Sequence, residues 1–230
     1  MIEELLPRTA VVVEAHAGED AGGAAVEAAL FPEEEALVAR AVAKRRREFA
    51  GVRSCARRAM EKLGVPPQAV LPGERGAPTW PAGLVGSMTH CAGFCGAALA
   101  RAGELASLGI DAEPAGPLPD GVLSAVALPT EAERLRRLAA ERPGVHWDRL
   151  LFSAKESVYK AWFPLTRKWL DFSEADIEIS VEAGDRPGGT FRATLLVPGP
   201  QVGDRRVDHF DGRWTAQHGL VATAVSIAPA

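Results

Sequence analysis

The sequence predicts an α+β chain made of two similar halves, residues 1–103 and 104–230. Three observations predict it. Read in order, the segments run strand, helices, strands, and then strand, helices, strands again. Clusters of Gly, Pro and Asp cut the apolar runs to strand length. Apolar spacings of three and four residues are confined to a few long segments. No convincing sequence repeat accompanies this twofold order.

Val11–Glu14 is a short apolar run before a Gly-rich turn and reads as a strand. Phe31-Pro32-Glu33-Glu34-Glu35 opens a helix, with proline in the first turn and acidic residues at the positive end of the helix dipole. Helical patterning continues, with a break, to Leu63, where Gly64 and Pro66-Pro67 stop it. Pro72–Pro81 is a Gly- and Pro-rich loop. Leu84–Thr89, Phe94–Arg101 and Leu105–Asp111 read as strands. A Pro-rich loop, Pro114–Pro119, precedes a helix over Thr130–Ala140. Trp147–Phe163 is the clearest helix, with Leu151, Ala154, Val158 and Ala161 forming its apolar stripe and Pro164 ending it. Ile177–Val181, Thr190–Val197, Arg205–Phe210, Arg213–Gln217 and Leu220–Ile227 read as strands.

Bulk composition excludes several classes. A net charge of −4 gives no global basic field for nucleic acid or an anionic membrane. The N-terminus lacks the basic-then-apolar pattern of a signal peptide, and no apolar run is long enough to span a bilayer, so the expected location is the cytoplasm. Cys55, Cys91 and Cys95 are too few and too irregularly spaced for a disulfide framework, and no second ligand pair completes a zinc site around His90.

Two segments carry chemistry. Gly109-Ile110-Asp111-Ala112-Glu113-Pro114 places two carboxylates two residues apart, so both leave one face of an extended chain. Mg²⁺ is held by one or two carboxylates together with substrate phosphates and water, so this pair suffices. In Phe152-Ser153-Ala154-Lys155-Glu156-Ser157-Val158-Tyr159-Lys160, Glu156 and Lys160 are i,i+4 neighbours with Lys155 beside them. Only five of the 26 basic residues are lysine, which makes this pair stand out. Cation, general base and charge neutraliser are the parts that phosphoryl and diphosphate chemistry needs.

In this order and spacing the two segments resemble the signature of 4′-phosphopantetheinyl transferases of the surfactin-synthetase-activating type, and look closest to actinobacterial members. The resemblance extends through Ala43-Lys44-Arg45-Arg46, Trp80-Pro81, Gly86–Cys91 and Tyr159–Thr166, most of residues 35–170. It implies a pseudo-dimer of two α+β halves with the active site between them. It also implies transfer of 4′-phosphopantetheine from coenzyme A to a serine of an apo carrier protein, with release of adenosine 3′,5′-bisphosphate. On this resemblance Asp111, Ala112, Glu113 and Glu156 are expected at Mg²⁺, for which Mn²⁺ can substitute. Glu156 is also the candidate base and Lys155 the group that stabilises the leaving bisphosphate. Arg45, Arg53, Gly73, Arg75, Thr89, His90, Asp111, Lys155 and Lys160 are expected at coenzyme A. Arg45 and Arg53 lie within about 80° on an ideal helix, close enough to flank one anion. Pro72 departs from the lysine that close relatives can carry.

The partners implied are apo carriers of polyketide, nonribosomal-peptide and fatty-acid synthases. Gly121–Leu128 and Arg167–Phe172, which contain Val122, Leu123, Trp169 and Leu170, are the docking candidates. A chain that already holds two halves is expected to work as a monomer.

Overall fold

The computed structural model describes residues 1–16, 29–184 and 186–230, so the Gly-rich turn expected after the first strand lies outside the described residues. Strands β1 (Val11–His16), β2 (Leu84–Cys91) and β3 (Phe94–Arg101) form an antiparallel sheet in the order β1-β3-β2. Helices α1 (Pro32–Val38) and α2 (Ala43–Lys62) precede β2, and Cys55, Ala56, Ala59 and Met60 seal α2 onto the sheet. The second half holds β4 (Ser107–Pro114), α3 (Val122–Val126), α4 (Pro129–Glu141), α5 (Trp147–Thr166), β5 (Ala175–Val181), β6 (Gly188–Leu195), β7 (Gln201–Val202), β8 (Arg205–Arg206), β9 (His209–Gln217) and β10 (Leu220–Ile227). Its main sheet is antiparallel with the order β4-β10-β9-β6-β5. Leu150, Leu151, Ala154, Val158 and Ala161 of α5 pack against it. The fold is α+β in two domains.

Three expectations need correction. Proline does not stop α5 at residue 163, because Pro164 falls in the last turn. There Arg167 N–H reaches Phe163 O at 2.8 Å with φ 57°, and Thr166 Oγ1 donates to Trp162 O at 3.1 Å, so the turn closes without the proline N–H. The strand expected over Arg205–Phe210 is divided. Arg205–Arg206 pairs with Gln201–Val202 in a small hairpin, while His209 and Phe210 begin β9. The segment Gly121–Leu128, read only as a docking loop, contains the short helix α3.

The structure supplies a repeat that the sequence conceals. Helix α1 opens Phe31-Pro32-Glu33-Glu34 and α4 opens Leu128-Pro129-Thr130-Glu131, each with proline at the first helical position and glutamate at the third. Neither N-cap residue has a side-chain acceptor, so the glutamate turns back and accepts the N-cap N–H: Phe31 N at 3.0 Å and Leu128 N at 2.7 Å. Its other oxygen accepts a backbone N–H from a following extended segment, Val70 N at 2.8 Å and Ile177 N at 2.7 Å. A base from the long helix completes each clamp. Arg57 lies 2.8 Å from Glu34, and Lys155 lies 2.8 Å from Glu131. Both glutamates are fully buried, where a charge survives only if paired and hydrogen-bonded.

The two sheets meet at β2 and β4, and side chains join them. Ser87 Oγ accepts Ile110 N–H at 3.1 Å and Thr89 Oγ1 accepts Ala112 N–H at 3.0 Å.

Candidate active site

Gly109 sets the site's dimensions. A Cβ there would lie 2.0 Å from Ser157 O, so only glycine lets α5 rest directly on β4. Ser107 Oγ donates to Ala161 O at 2.7 Å and Thr223 Oγ1 to Ser153 O at 2.9 Å, which fixes the helix along the strand. Glu156 and Lys160 are thereby held next to Asp111.

Asp111 is 4% exposed. Its Oδ1 accepts Lys160 Nζ at 2.7 Å and Thr89 Oγ1 at 3.3 Å, while its Oδ2 is buried with no hydrogen-bond partner. Lys160 also donates to Ile110 O at 3.1 Å and keeps part of its side chain exposed. Glu113, one step further along β4, meets Arg149 at 3.0 Å. Arg149 also donates to Gly116 O and Pro117 O, so it ties the Pro-rich loop to the site. Burial raises the Glu113 carboxyl above its ordinary value, and the neighbouring Asp111 charge adds to this against Arg149. Burial likewise raises Glu156, with Lys160 opposing and Asp111 reinforcing.

On the other side of the seam, Arg45 Nη1 lies 3.1 Å from His90 Nε2. Guanidinium only donates, so Nε2 accepts and the proton of the neutral imidazole sits on Nδ1. Burial, then the Arg45 charge, lowers the His90 pKa and favours that neutral form. His90 thus presents an N–H donor beside an exposed guanidinium.

Beside Glu156 a cleft of about 170 Å³ runs between α5 and residues 169–175, walled by Tyr159, Trp169, Leu170 and Phe172. Arg75, in the Gly73–Gly76 turn, places its guanidinium 5.6 Å from the Trp169 ring and so reaches across from the first half. Its φ of 53° is a left-handed conformation that the flanking Gly76 shares. Gly73 lies exposed in the same turn, its N–H bonded to Ala77 O at 2.7 Å. A more open hollow of about 600 Å³ lies on the far side of the second sheet, but its Arg192 is paired with Asp211 and its Arg213 with Glu182.

Asp111, Ala112, Glu113, Glu156, Lys160, Thr89, His90 and Arg45 are therefore brought together. Three of the residues expected at the ligand have their polar groups engaged by other parts of the chain. Lys155 is 3% exposed, and its ammonium donates to Glu131, to Phe172 O at 2.6 Å and to Ala175 O at 3.1 Å, which uses all three of its hydrogens. Arg53 is buried over the Phe49 ring and donates to Val70 O at 3.0 Å, and burial lowers its pKa to about 10. Thr89 is buried with its hydroxyl engaged by Asp111 and Ala112. Arg149 and Glu131 were missed by sequence reasoning. Arg149 sits two turns before Glu156 on the same helix, and Glu131 is the third helical residue after a proline, so both had a positional signal.

Among the described residues no three His, Cys, Asp or Glu side chains converge into a ready-made metal site. The donor set nevertheless fits a hard cation. Asp111 lies close enough to Glu113 and to Glu156 for its charge to raise the pKa of each, and Asp111 Oδ2 is a buried acceptor without a donor.

Comparison with known proteins agrees with this geometry. Residues 33–100 match the family described as the 4′-phosphopantetheinyl transferase N-terminal domain, and residues 107–217 match the 4′-phosphopantetheinyl transferase superfamily. The chain is 63% identical over 228 residues to 4′-phosphopantetheinyl transferase Svp of Streptomyces mobaraensis, covering 99% of this chain and 89% of that protein. It is 51% identical over 200 residues to 4′-phosphopantetheinyl transferase Npt of Nocardia iowensis, covering 86% and 89%. To 4′-phosphopantetheinyl transferase PptT of Mycobacterium tuberculosis it is 49% identical over 196 residues, covering 85% of each. The chain belongs to the 4′-phosphopantetheinyl transferase superfamily, whose members move 4′-phosphopantetheine from coenzyme A onto a serine of a carrier protein.

Proposed function

We propose that the chain performs this transfer as a Mg²⁺-dependent monomer in the cytoplasm, on carriers of polyketide, nonribosomal-peptide and fatty-acid synthases. Residues 1–103 receive coenzyme A, and residues 104–230 supply the cation ligands and the base. The observation that carries the reading is Asp111: its Oδ2 is buried and unpartnered among carboxylates, one strand away from the His90–Arg45 donor pair.

Asp111, Glu113 and Glu156 would hold the cation, with the Ala112 backbone fixed between the first two by Thr89. A cation held by these residues would supply charge withdrawal from the diphosphate oxygens. Glu156 is the carboxylate placed to take the proton of the carrier serine, since it lines the cleft on α5 one turn before Lys160. The serine oxygen then bonds to the phosphorus that bears pantetheine, and the bond from that phosphorus to the bisphosphate oxygen breaks. Lys160, His90 Nδ1–H and Arg45 offer positive charge and N–H groups to the phosphates. The apolar wall of Tyr159, Trp169, Leu170 and Phe172 suits the uncharged pantetheine arm, with Arg75 at its rim. Trp169 is 55% exposed and is also available to a docking carrier.

Intact-protein mass spectrometry of purified apo carriers, incubated with the protein, coenzyme A and Mg²⁺, tests this. Each acceptor should gain the mass of one phosphopantetheine. Tight coenzyme A binding with no mass gain on any carrier would reduce the protein to a coenzyme A-binding module.

A further inference from the structure

Lys155 and Glu131 form a buried pair that lies outside the phosphate site. Lys155 leaves α5 on the side of the cleft, and two of its three bonds go to the carbonyls of Phe172 and Ala175. Residues 169–175 between α5 and β5 carry Trp169, Leu170 and Phe172, the cleft's apolar wall. Glu131 takes the third bond of Lys155 and also the N–H of Ile177, near the start of β5. One carboxylate therefore fastens α4, α5 and the strand that follows the wall. The turn at residues 171–174 is closed by its own bonds, Asp171 Oδ1 accepting Ser173 N–H and Glu174 accepting Asp171 N–H. These bonds hold the turn together, and Lys155 is a tether that fixes its distance from the helix bearing Glu156.

We propose that Glu131, acting through Lys155, is a positioning residue that sets the width of the cleft wall and hence the grip on the pantetheine arm of coenzyme A. This rests on the reading of the cleft as the seat of that arm. Neither side chain touches the phosphates in this assignment. Lys155 holds two protein carbonyls, and Glu131 takes its third hydrogen.

The Glu34 clamp of the first half provides an internal control, since it has the same architecture but fastens Val70 and Arg57 rather than residues 169–175. The test compares the binding of coenzyme A with that of adenosine 3′,5′-bisphosphate, which lacks the arm, on Glu131→Gln, Lys155→Met, their double variant and Glu34→Gln. Glu131→Gln should weaken coenzyme A about tenfold while changing bisphosphate affinity less than about twofold. Lys155→Met should do the same, and the double variant should be no worse than the poorer single, because both remove one device. Glu34→Gln should lower the unfolding temperature and leave the affinity ratio unchanged. If Glu131→Gln does not fold, Glu131→Asp, which keeps the charge but shortens the reach, should shift the ratio in the same direction by less.

The inference is overturned if Glu131→Gln, or Glu131→Asp in its place, keeps the wild-type ratio, or if Lys155→Met weakens the bisphosphate as much as coenzyme A, which would put Lys155 at the phosphates. A wild-type chain whose affinity for coenzyme A gains nothing from the arm overturns the underlying reading of the cleft instead.

Discussion

The two halves close in the same way and carry different loads. In each, a proline-started helix ends its first turn on a buried glutamate that grips a backbone N–H and a base from the long helix. In the first half that base is an arginine pair, and α2 delivers Arg45 to the seam. In the second it is Lys155, and α5 delivers Glu156 and Lys160. The shared clamp is scaffold. In the proposed function the chemistry comes from what differs: acids at the end of β4, donors on the opposite side.

The sharpest break of that division is Asp111→Ala. It should lower transfer about 1000-fold, because it removes the central acid and leaves Lys160 without its carboxylate. Full turnover at low Mg²⁺ in this variant would abolish the acidic half's role. Glu156→Gln should reduce the rate about 100-fold and change the pH profile. In the metal-free protein burial raises the Glu156 pKa, with Lys160 opposing and Asp111 reinforcing, whereas a bound cation favours the ionised carboxylate. The acid limb of kcat/KM should therefore move to lower pH as Mg²⁺ is raised, and vanish in the variant. An unchanged limb would assign it to another group.

The scaffold itself is probed by two glycines at the closest helix–sheet approaches. Gly109→Ala places a Cβ 2.0 Å from Ser157 O, a backbone atom that cannot swing aside, and should cost about 1–3 kcal/mol in thermal or urea unfolding. Gly51→Ala meets only Cys95 Sγ at 3.2 Å and gains helix propensity, so its change should stay within about 1 kcal/mol. Equal costs would mean that the two helices seat alike. The smallest functional effect should come from the donor side. Arg45→Ala should raise KM for coenzyme A about tenfold at low ionic strength, and less as salt screens the wild-type attraction. A salt-independent change would mean that Arg45 acts through His90 alone.

Much of this was legible beforehand, for identifiable reasons. Strands β3 and β10 were read with their observed limits because turns with glycine bound their apolar runs. Asp111 and Glu113 share a strand face, as their spacing required. The two lysines of α5 were read alike, yet five residues is about 140° round a helix, so they leave it on different sides. One reaches Asp111 and the other is buried on Glu131. Arg53 sits on the polar-looking side of α2 but is drawn inward by Val70 O and Glu34. Such partners are remote in sequence, and periodicity carries no record of them. The Arg205–Arg206 hairpin has two-residue strands, too short to show any period.

The seam at β2 and β4 has a bearing on solubility. Each is the terminal strand of its own sheet, and such a strand presents a row of N–H and C=O groups that invites a foreign strand. Here the two strands lie side by side, and Ser87 and Thr89 of β2 cap two N–H groups on the open margin of β4. Each half thus shields the other from self-association. Expressed alone, either half would present an uncapped margin, and precipitation rather than unfolding is the expected fate of a truncated chain.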